Sequence, residues 1–359
     1  MQVNGEMLRV ARQLKGFQQT EAAKRLGVDQ SLLSRMENGV AEVREEVLGL
    51  AERVYEVRRS FFFLTDPIYG APVSVHPMWR RKADVTSREM DLIVAEMNIR
   101  VMHLRRFLDA ADVASAHGLP RMDIEDYGDP ERVAGLLRAH WMIPRGPIKD
   151  LTVLIERAGV VVVHSPMGGA SVSGVTFSPP GLPPMIVLNS DQPADRMRFT
   201  LAHELGHLVM HRFPSPKMEE EANAFASSVL LPSADIGPLL KTRKIDLQLL
   251  ASLKPEWKVS MQSILMKAKS LGLLTRNQEE YLWKQISARK WRVREPPELD
   301  FPAEKPTVIG NLVDVFRVHL GYSHEELSKL LHVFVPGLEA LYPTKRQENP
   351  SRPKFTILG

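Results

Sequence analysis

The spacing of apolar positions predicts a chain that is mostly helical. Up to about residue 66 the apolar residues form short helical segments, with one helix over 19–26 and another that begins at Asp29 or Gln30. Gly27 lies between these two helices and supplies the backbone freedom that a tight reversal needs. The beginning of the chain therefore predicts a small all-α module built around a helix, a turn and a second helix.

A linker and a long helix follow this module. The stretch around 67–77 carries Pro and Gly, which is typical of a connecting segment. Thr86 and Glu89 have the spacing of a capping box, in which the threonine caps the helix and the glutamate three residues later bonds back to it. The apolar residues after them recur at helical spacing, so we expect a connecting helix between two domains.

The pattern changes near Asp129, where helical stretches lead into three strand-like runs. These runs are rich in β-branched residues, are bounded by Gly and Pro, and have the sequences GVVVVH, ASVSGVTF and MIVLN. Two apolar helices come next, RFTLAHELGHLVMHRF and KMEEEANAFASSVLL, and the chain then stays mostly helical to about Ala288. The predicted fold class is α+β and mostly helical, with an all-α N-terminal module and a later domain that contains a small β-sheet.

Composition restricts the kind of site that the chain can build. It has 359 residues, 44% of them hydrophobic and 25% charged, with a net charge of +4 and no Cys. This length suits two or three domains, and the absence of Cys leaves His, Asp and Glu to hold any metal. The N-terminus lacks the apolar core of a signal peptide, and the longest apolar runs are far shorter than the ~20 residues of a membrane span. We expect a cytoplasmic protein without a membrane partner.

The helix RFTLAHELGHLVMHRF sets three ionisable residues into an apolar surface. His203 and His207 are four positions apart and share one helical face, where two imidazoles can bind one divalent ion. Glu204 is placed to deprotonate a water on that ion, as in the H-E-x-x-H arrangement of zinc peptidases. Burying these groups without a partner would cost several kcal/mol, and a bound cation removes that cost. A chance match on a core helix is the alternative, and the apolar setting favours the metal.

The third ligand of a catalytic zinc is expected from the next helix. Glu219, Glu220 and Glu221 all lie in its first turn, where acidic side chains are also favoured by the helix dipole alone. Glu220 points almost opposite the apolar stripe of this helix and is the weakest candidate. Glu219 and Glu221 lie on opposite sides of the apolar stripe, and their spacing does not decide which of them is the third ligand. His211 is about 12 Å from His203 along the helix, so we interpret it as a residue behind the site.

The two helices, with EEEANAFASSVLLP after the first, resemble the ImmA/IrrE family of bacterial metallopeptidases, and the likeness extends over about 129–296. The resemblance implies one catalytic Zn²⁺ held by His203, His207 and Glu221, the glutamate directly before Ala-Asn, with Glu204 as general base. It also implies a zincin-like fold in which ASVSGVTF supplies an edge strand that pairs with the substrate backbone. Known targets in that family are helix-turn-helix repressors. No side chain stands out as a stabiliser of the tetrahedral oxyanion.

The N-terminal module resembles the XRE, or Cro/cI-type, helix-turn-helix over residues 7 to about 64. In that family the second helix enters the major groove, and the positions carried over are Gln30, Ser31 and Ser34, with Arg35 on the same helix. Gln19 would contact phosphate at the start of the first helix. Residues 1–66 contain ten basic and ten acidic side chains, so the module is neutral. Double-stranded operator DNA is the expected partner, and a protein partner is the alternative.

Two later segments have the layout of degenerate helix-turn-helix units. They are VSMQSILMKAKSLGLL at 259–274 and GYSHEELSKLLHVFVPGLEALY at 321–342. Neither presents a clear polar face for reading bases, so we interpret both as packing elements. The basic stretch ARKWRVRE is interpreted either as a phosphate contact or as a solvated edge.

The predicted order is a helix-turn-helix domain at 1–66, a linker and connecting helix at 67–124, a metallopeptidase domain at 125–296 and a small helical tail at 297–359. We expect a DNA-binding transcriptional regulator, acting as a homodimer, fused to a zinc endopeptidase that cleaves a repressor-like protein in a stress, phage or toxin–antitoxin response. One alternative is a transcription factor whose peptidase fold only senses or dimerises. A second is an antitoxin-like or phage-regulatory protein that binds the product of a neighbouring gene.

Overall fold

The computed structural model describes residues 2–70, 86–111, 115–167 and 172–343. Most of the predicted linker and the first two residues of ASVSGVTF lie outside the described residues. The chain divides into two compact units. The first contains residues 2–11, 19–65 and 310–343, and the second contains 12–18 and the described part of 66–309.

The N-terminal part of the first unit is entirely helical. Its helices are α1 (Gly5–Leu14), α2 (Gln19–Leu26), α3 (Gln30–Glu37), α4 (Glu45–Tyr55) and a 3₁₀ turn (Arg59–Phe63). The predicted helix over 19–26 is confirmed, and α3 follows an extended Asp29 at its N-cap. Gly27 has φ 64°, the left-handed conformation expected for the turn. The apolar side chains on α2 and α3 are buried, namely Ala22, Ala23, Leu26, Leu33 and Met36, so the helices pack into one module.

The second unit combines helices with one small sheet. Before the sheet come α5 (Ser87–Leu108), α6 (Ile124–Tyr127), α7 (Pro130–His140) and α8 (Leu151–Arg157), and the strands are β1 (Val161–Ser165), β2 (Gly174–Phe177) and β3 (Met185–Asn189). After the sheet come α9 (Ala194–Met210), α10 (Met218–Leu230), α11 (Ser233–Lys241), α12 (Leu247–Trp257), α13 (Met261–Ser270) and α14 (Arg276–Ala288), then a short 3₁₀ turn (Pro297–Leu299). The capping box of Thr86 and Glu89 opens α5 as predicted.

The chain ends, within the described residues, in three short helices. These are α15 (Val308–Asp314), continued by a π-helical turn (Val315–His319), α16 (His324–Leu330) and α17 (Val335–Leu341). Residues from 310 onward belong to the first unit together with the N-terminal helices. Within the predicted tail, residues 297–309 thus group with the second unit and residues 310–343 with the N-terminal helices.

The three predicted strands form one sheet in the order β1–β3–β2. β1 pairs with β3 in parallel, and β2 pairs with β3 antiparallel, with Val163 and Val175 both opposite Val187. All five residues of β3 are buried because the strand lies between its two neighbours. ASVSGVTF therefore does supply an edge strand of the sheet in the described residues. The predicted fold class, α+β and mostly helical with a small sheet, is confirmed.

The helices α9 and α10 pack closely enough to need a glycine between them. A Cβ on Gly206 would lie 3.0 Å from Cδ1 of Phe225 and 3.4 Å from Cα of Ala222. The glycine in the middle of α9 is therefore explained by the close approach of α10.

Among the described residues, no helix has both the length and the apolar character that crossing a lipid bilayer requires.

A buried ion-pair network holds α9, α12 and α13 together. Lys254 on α12 is 1% exposed, and its Nζ contacts the carboxylate of Asp195 and lies 2.8 Å from Oε2 of Glu295. Glu295 also accepts hydrogen bonds from the backbone N–H groups of Met261 and Gln262. Its carboxylate therefore both neutralises a buried lysine and caps the first turn of α13.

We expect Glu295→Ala to lower the free energy of unfolding of the second unit by about 3 kcal/mol, because it leaves a buried ammonium with one partner fewer. Urea denaturation followed by tryptophan fluorescence measures this change. Glu298→Ala, three positions later and exposed, is the matched control and should have little effect. A loss below about 1 kcal/mol for Glu295→Ala would show that the network contributes little.

Candidate metal centre and helix-turn-helix surface

The packing of α10 on α9 brings three ligand-type side chains together. His203 and His207 lie one turn apart on α9, and Glu219 reaches them from the first turn of α10. One ligand atom from each of the three lies within 4.8 Å of the others. Both imidazoles are buried and Glu219 is half-buried, so the cluster is largely shielded from bulk water.

The distances in this cluster fit one tetrahedral cation. The two Nε2 atoms are 3.0 Å apart, and carboxylate oxygens of Glu219 lie 3.5 Å from Nε2 of His203 and 3.4 Å from Nε2 of His207. Ligands at tetrahedral angles on bonds of about 2.0–2.1 Å are separated by about 3.3 Å. Oε1 of Glu219 is also buried without a hydrogen-bond partner, which a cation would satisfy. The donor set, two imidazoles and one carboxylate, suits Zn²⁺.

The electrostatics of the cluster favour a positive charge between the three groups. Burial by itself raises the pKa of Glu219, but the hydrogen bonds and charges of His203 and His207 outweigh it and lower the pKa to about 2. Burial lowers the pKa of His203, but the hydrogen bond to Glu219 and the negative charges of Glu204 and Glu219 leave it raised. The carboxylate is therefore ionised at neutral pH, and its field attracts a cation to the imidazole nitrogens.

A second set of side chains holds the far nitrogen of each imidazole. Nδ1 of His203 lies 3.0 Å from Oδ1 of Asn223, an acceptor, so this nitrogen carries the proton and leaves Nε2 as a lone pair toward the cluster. Nδ1 of His207 lies 3.0 Å from Nδ1 of His211, and Nε2 of His211 lies 3.2 Å from Oε2 of Glu221. If Nε2 of His211 donates to Glu221, its Nδ1 accepts from His207, and Nε2 of His207 is also free to bind a metal.

Glu221 is therefore not where the family resemblance implied. The structure places it against His211, and Glu219 takes the position beside the two histidines. The physical reason is the rotation of α10: Glu219 and Asn223 are four apart and share the face toward His203, while Glu221 is turned about 200° from Glu219. Glu220 is exposed, as expected. The four-residue spacing between Glu219 and Asn223 was a sequence signal that both share this face. The signal can be interpreted only once the orientation of α10 is known.

Glu204 is anchored by the edge strand. It is 2% exposed, and the hydroxyl of Thr176 on β2 donates a hydrogen bond of 2.6 Å to its Oε2. This contact restricts the orientation of the Glu204 carboxylate, which belongs to the residue directly after His203 on α9. Sequence reasoning missed Thr176, because a threonine inside a strand gives no local sign of the helix that will pack on it.

His211 is predominantly neutral in this arrangement. Burial and the neighbouring charge of His207 lower its pKa to about 4. At neutral pH it therefore has one N–H donor and one acceptor nitrogen, which is what the chain of contacts from His207 to Glu221 requires.

The expected DNA-contacting residues lie along α3 and at the start of α2. Gln30, Ser31 and Arg35 are exposed, and Ser34 is half-buried. Nε2 of Gln19 donates to Oε2 of the buried Glu37 at 2.9 Å, and Oε1 of Gln19 accepts from Nε2 of Gln30 at 3.1 Å. The amide of Gln30 is thus held in one orientation from behind, with its Oε1 left as an acceptor.

Comparison with protein families matches both parts of the chain. Residues 8–62 match the family described as Helix-turn-helix (HTH_3), and residues 155–269 match the IrrE N-terminal-like domain (Peptidase_M78). The second range contains the whole of the His203, His207 and Glu219 cluster. No curated protein sequence matches the chain. The chain is thus similar to an XRE-type helix-turn-helix over residues 8–62 and to an ImmA/IrrE-type peptidase domain over residues 155–269.

Proposed function

We propose that the second unit is a zinc-dependent endopeptidase whose metal is held by His203, His207 and Glu219. The observation that carries the proposal is the convergence of these three ligand atoms within 4.8 Å of one another. Three protein ligands leave a fourth position for water or substrate, the arrangement of catalytic rather than structural zinc sites. The match to a peptidase family over the same residues supports the choice of reaction.

Each residue around the metal has a distinct task in peptide hydrolysis. A zinc ion held by His203, His207 and Glu219 would lower the pKa of a bound water to about 7 and would polarise the scissile carbonyl. Glu204 accepts the proton of the attacking water and passes it to the leaving amine. Thr176 keeps the Glu204 carboxylate in one orientation through the 2.6 Å hydrogen bond. Asn223 and His211 fix the tautomers of the two ligand histidines, with Glu221 behind His211.

The first unit is proposed to bind operator DNA, so that the chain is a transcriptional regulator that carries its own peptidase domain. Gln30 is suited to a bidentate contact with adenine, and Ser31, Ser34 and Arg35 to neighbouring bases or phosphates. Gln19 contacts phosphate and holds Gln30 in place. The proposed substrate is a repressor-like helix-turn-helix protein, and cleavage of that protein would release silenced genes. The support is the presence of both domain types in one chain.

Metal analysis of the purified protein tests the metal centre. We expect one zinc per chain in the parent after exposure to zinc and removal of excess metal. His203→Ala should retain less than about a tenth of it, because two ligands do not hold zinc against a competing chelator. His319→Ala, an exposed histidine of the first unit, is the control and should bind zinc like the parent. Equal zinc in parent and His203→Ala would refute this metal site.

A further inference from the structure

The C-terminal helices repeat the layout of the N-terminal helix-turn-helix. α2 begins at Gln19 and α3 at Gln30, and α16 begins at His324 and α17 at Val335. Both C-terminal helices therefore start 305 positions after their N-terminal counterparts. The helix before each pair also corresponds, since positions 310–319, which are equivalent to α1, all lie within α15 and the π-helical turn after it. The same spacing of three helices occurs at both ends of the chain.

The turns between the helices repeat with the same offset. Gly27 separates α2 from α3 with φ 64°, and His332 separates α16 from α17 with φ 57°. Gly16 and Gly321, also 305 apart, precede the two pairs with φ 63° and φ 74°. A left-handed residue at an equivalent position is a specific backbone feature, because it sets the direction in which the second helix leaves the turn.

The cores of the two segments correspond residue by residue. At each of these positions both members of the pair are buried: Ala22 and Leu327, Ala23 and Ser328, Leu26 and Leu331, Leu33 and Leu338, Met7 and Leu312, Leu8 and Val313. A backbone hydrogen bond after each first helix repeats as well, from Val28 N to Ala23 O at 3.0 Å and from Val333 N to Ser328 O at 3.1 Å. The correspondence thus extends from spacing to packing.

The positions that would read bases do not correspond. The residues equivalent to Gln30, Ser31, Ser34 and Arg35 are Val335, Pro336, Glu339 and Ala340. None of these replacements offers a hydrogen-bond donor to a base edge, and Glu339 would face phosphates with a negative charge. Residues 5–36 contain six basic and three acidic side chains, whereas 310–341 contain two basic and four acidic ones. The C-terminal segment is therefore electrostatically unsuited to DNA.

The C-terminal segment is instead joined to the N-terminal helices within the first unit. Val57 and Val333 form an antiparallel bridge, and the backbone N–H of Arg58 donates to the carbonyl of His332. The guanidinium of Arg58 donates to Val333 O, to Glu325 Oε1 and to Ser328 Oγ, each at 2.8 Å. Arg58 thus donates hydrogen bonds both to α16 and to the turn that follows it.

We propose that residues 308–341 are a second helix-turn-helix repeat that does not read bases and acts as the built-in packing partner of the first. The DNA-binding unit would then need both ends of the chain, with the peptidase-family domain inserted between them in sequence. The repeat, the packing through Arg58 and the reversed charge support this role. The packing part stands without the proposed DNA binding, and only the statement on base reading depends on it.

Hydrogen exchange of the full-length protein, followed by mass spectrometry, tests the packing part. In Arg58→Ala we expect amides in both 45–63 and 324–341 to exchange about tenfold faster or more, because three hydrogen bonds from a charged group are lost. Arg53→Ala is the matched control, an exposed arginine of the same segment that bonds Gly49 O, and should leave both regions unchanged. Amides of 194–210, which lie in the second unit, show whether the change is confined to the first unit. Glu325→Gln, a milder change, should act in the same direction.

Two results would overturn the packing part. Faster exchange in 324–341 with 45–63 unchanged would show that the C-terminal segment depends on the N-terminal helices but does not stabilise them. Unchanged exchange in both regions of Arg58→Ala would show that this contact does not join them.

Selection from a pool of duplex DNA with 20 randomised base pairs tests the statement on base reading. The sequence enriched by the parent should also be enriched by Glu339→Ala, whereas Ser34→Ala at the equivalent position of the first repeat should change it. A change in the enriched sequence with Glu339→Ala would overturn the statement. If the parent enriches no sequence, the proposed DNA binding fails, and the exchange experiment still decides the packing part.

Discussion

Replacing Glu204 with glutamine is expected to abolish peptide hydrolysis while leaving the metal in place. A glutamine has the shape of glutamate but does not accept a proton, and general base catalysis contributes about 10²- to 10⁴-fold to such reactions. Glu204 is not among the three clustered ligand-type groups, so zinc content should stay at the parent level. The hydroxyl of Thr176 can still donate to the amide oxygen, which keeps the side chain in position.

The measurement is cleavage of a tryptic peptide mixture by zinc-loaded protein, read by mass spectrometry beside metal analysis. Glu220→Gln is the control for a glutamate-to-glutamine change near the site, because Glu220 is exposed on the next helix and should cleave like the parent. Full cleavage by Glu204→Gln would end the mechanism. Zinc-loaded parent protein that cleaves neither this mixture nor any repressor-like protein, but binds DNA without zinc, would favour a regulator in which the peptidase fold only senses or dimerises.

Replacing Glu219 with glutamine is expected to weaken zinc binding by more than about a hundredfold, because it removes a charged ligand and leaves two imidazoles to hold the ion. Glu221→Gln should weaken it by about tenfold to a hundredfold, since Glu221 acts only through His211 on the orientation of His207. Glu220→Gln should not change it. The three glutamates are consecutive, so the series compares identical substitutions on one helical turn.

Competition with a chromophoric chelator gives the three dissociation constants. A larger loss in Glu221→Gln than in Glu219→Gln would restore Glu221 as the third ligand and contradict the geometry of α10. Equal and small losses in all three variants would mean that none of the three carboxylates binds the metal. Circular dichroism of each apo protein verifies that the helices are intact, so that a loss of affinity is assigned to the site.

Local patterns in the sequence determined much of this protein. His203 and His207 had to share a face because a helix returns to the same side after four residues, whatever packs against it. The bounds of α2, the left-handed turn at Gly27 and the capping box at Thr86 follow in the same way from neighbours along the chain. The three strands were predictable because β-branched runs and the Gly and Pro around them act over a few residues.

What the sequence left open depends on how distant elements are rotated against each other. The choice between Glu219 and Glu221 was decided by the turn of α10 toward α9, and the anchoring of Glu204 by Thr176 was decided by the position of β2 beneath the same helix. The pairing of Arg58 with Glu325 joins residues 267 positions apart. Local propensity contains no information on such pairs, because their free energy comes from burial and contacts that exist only after the elements have packed.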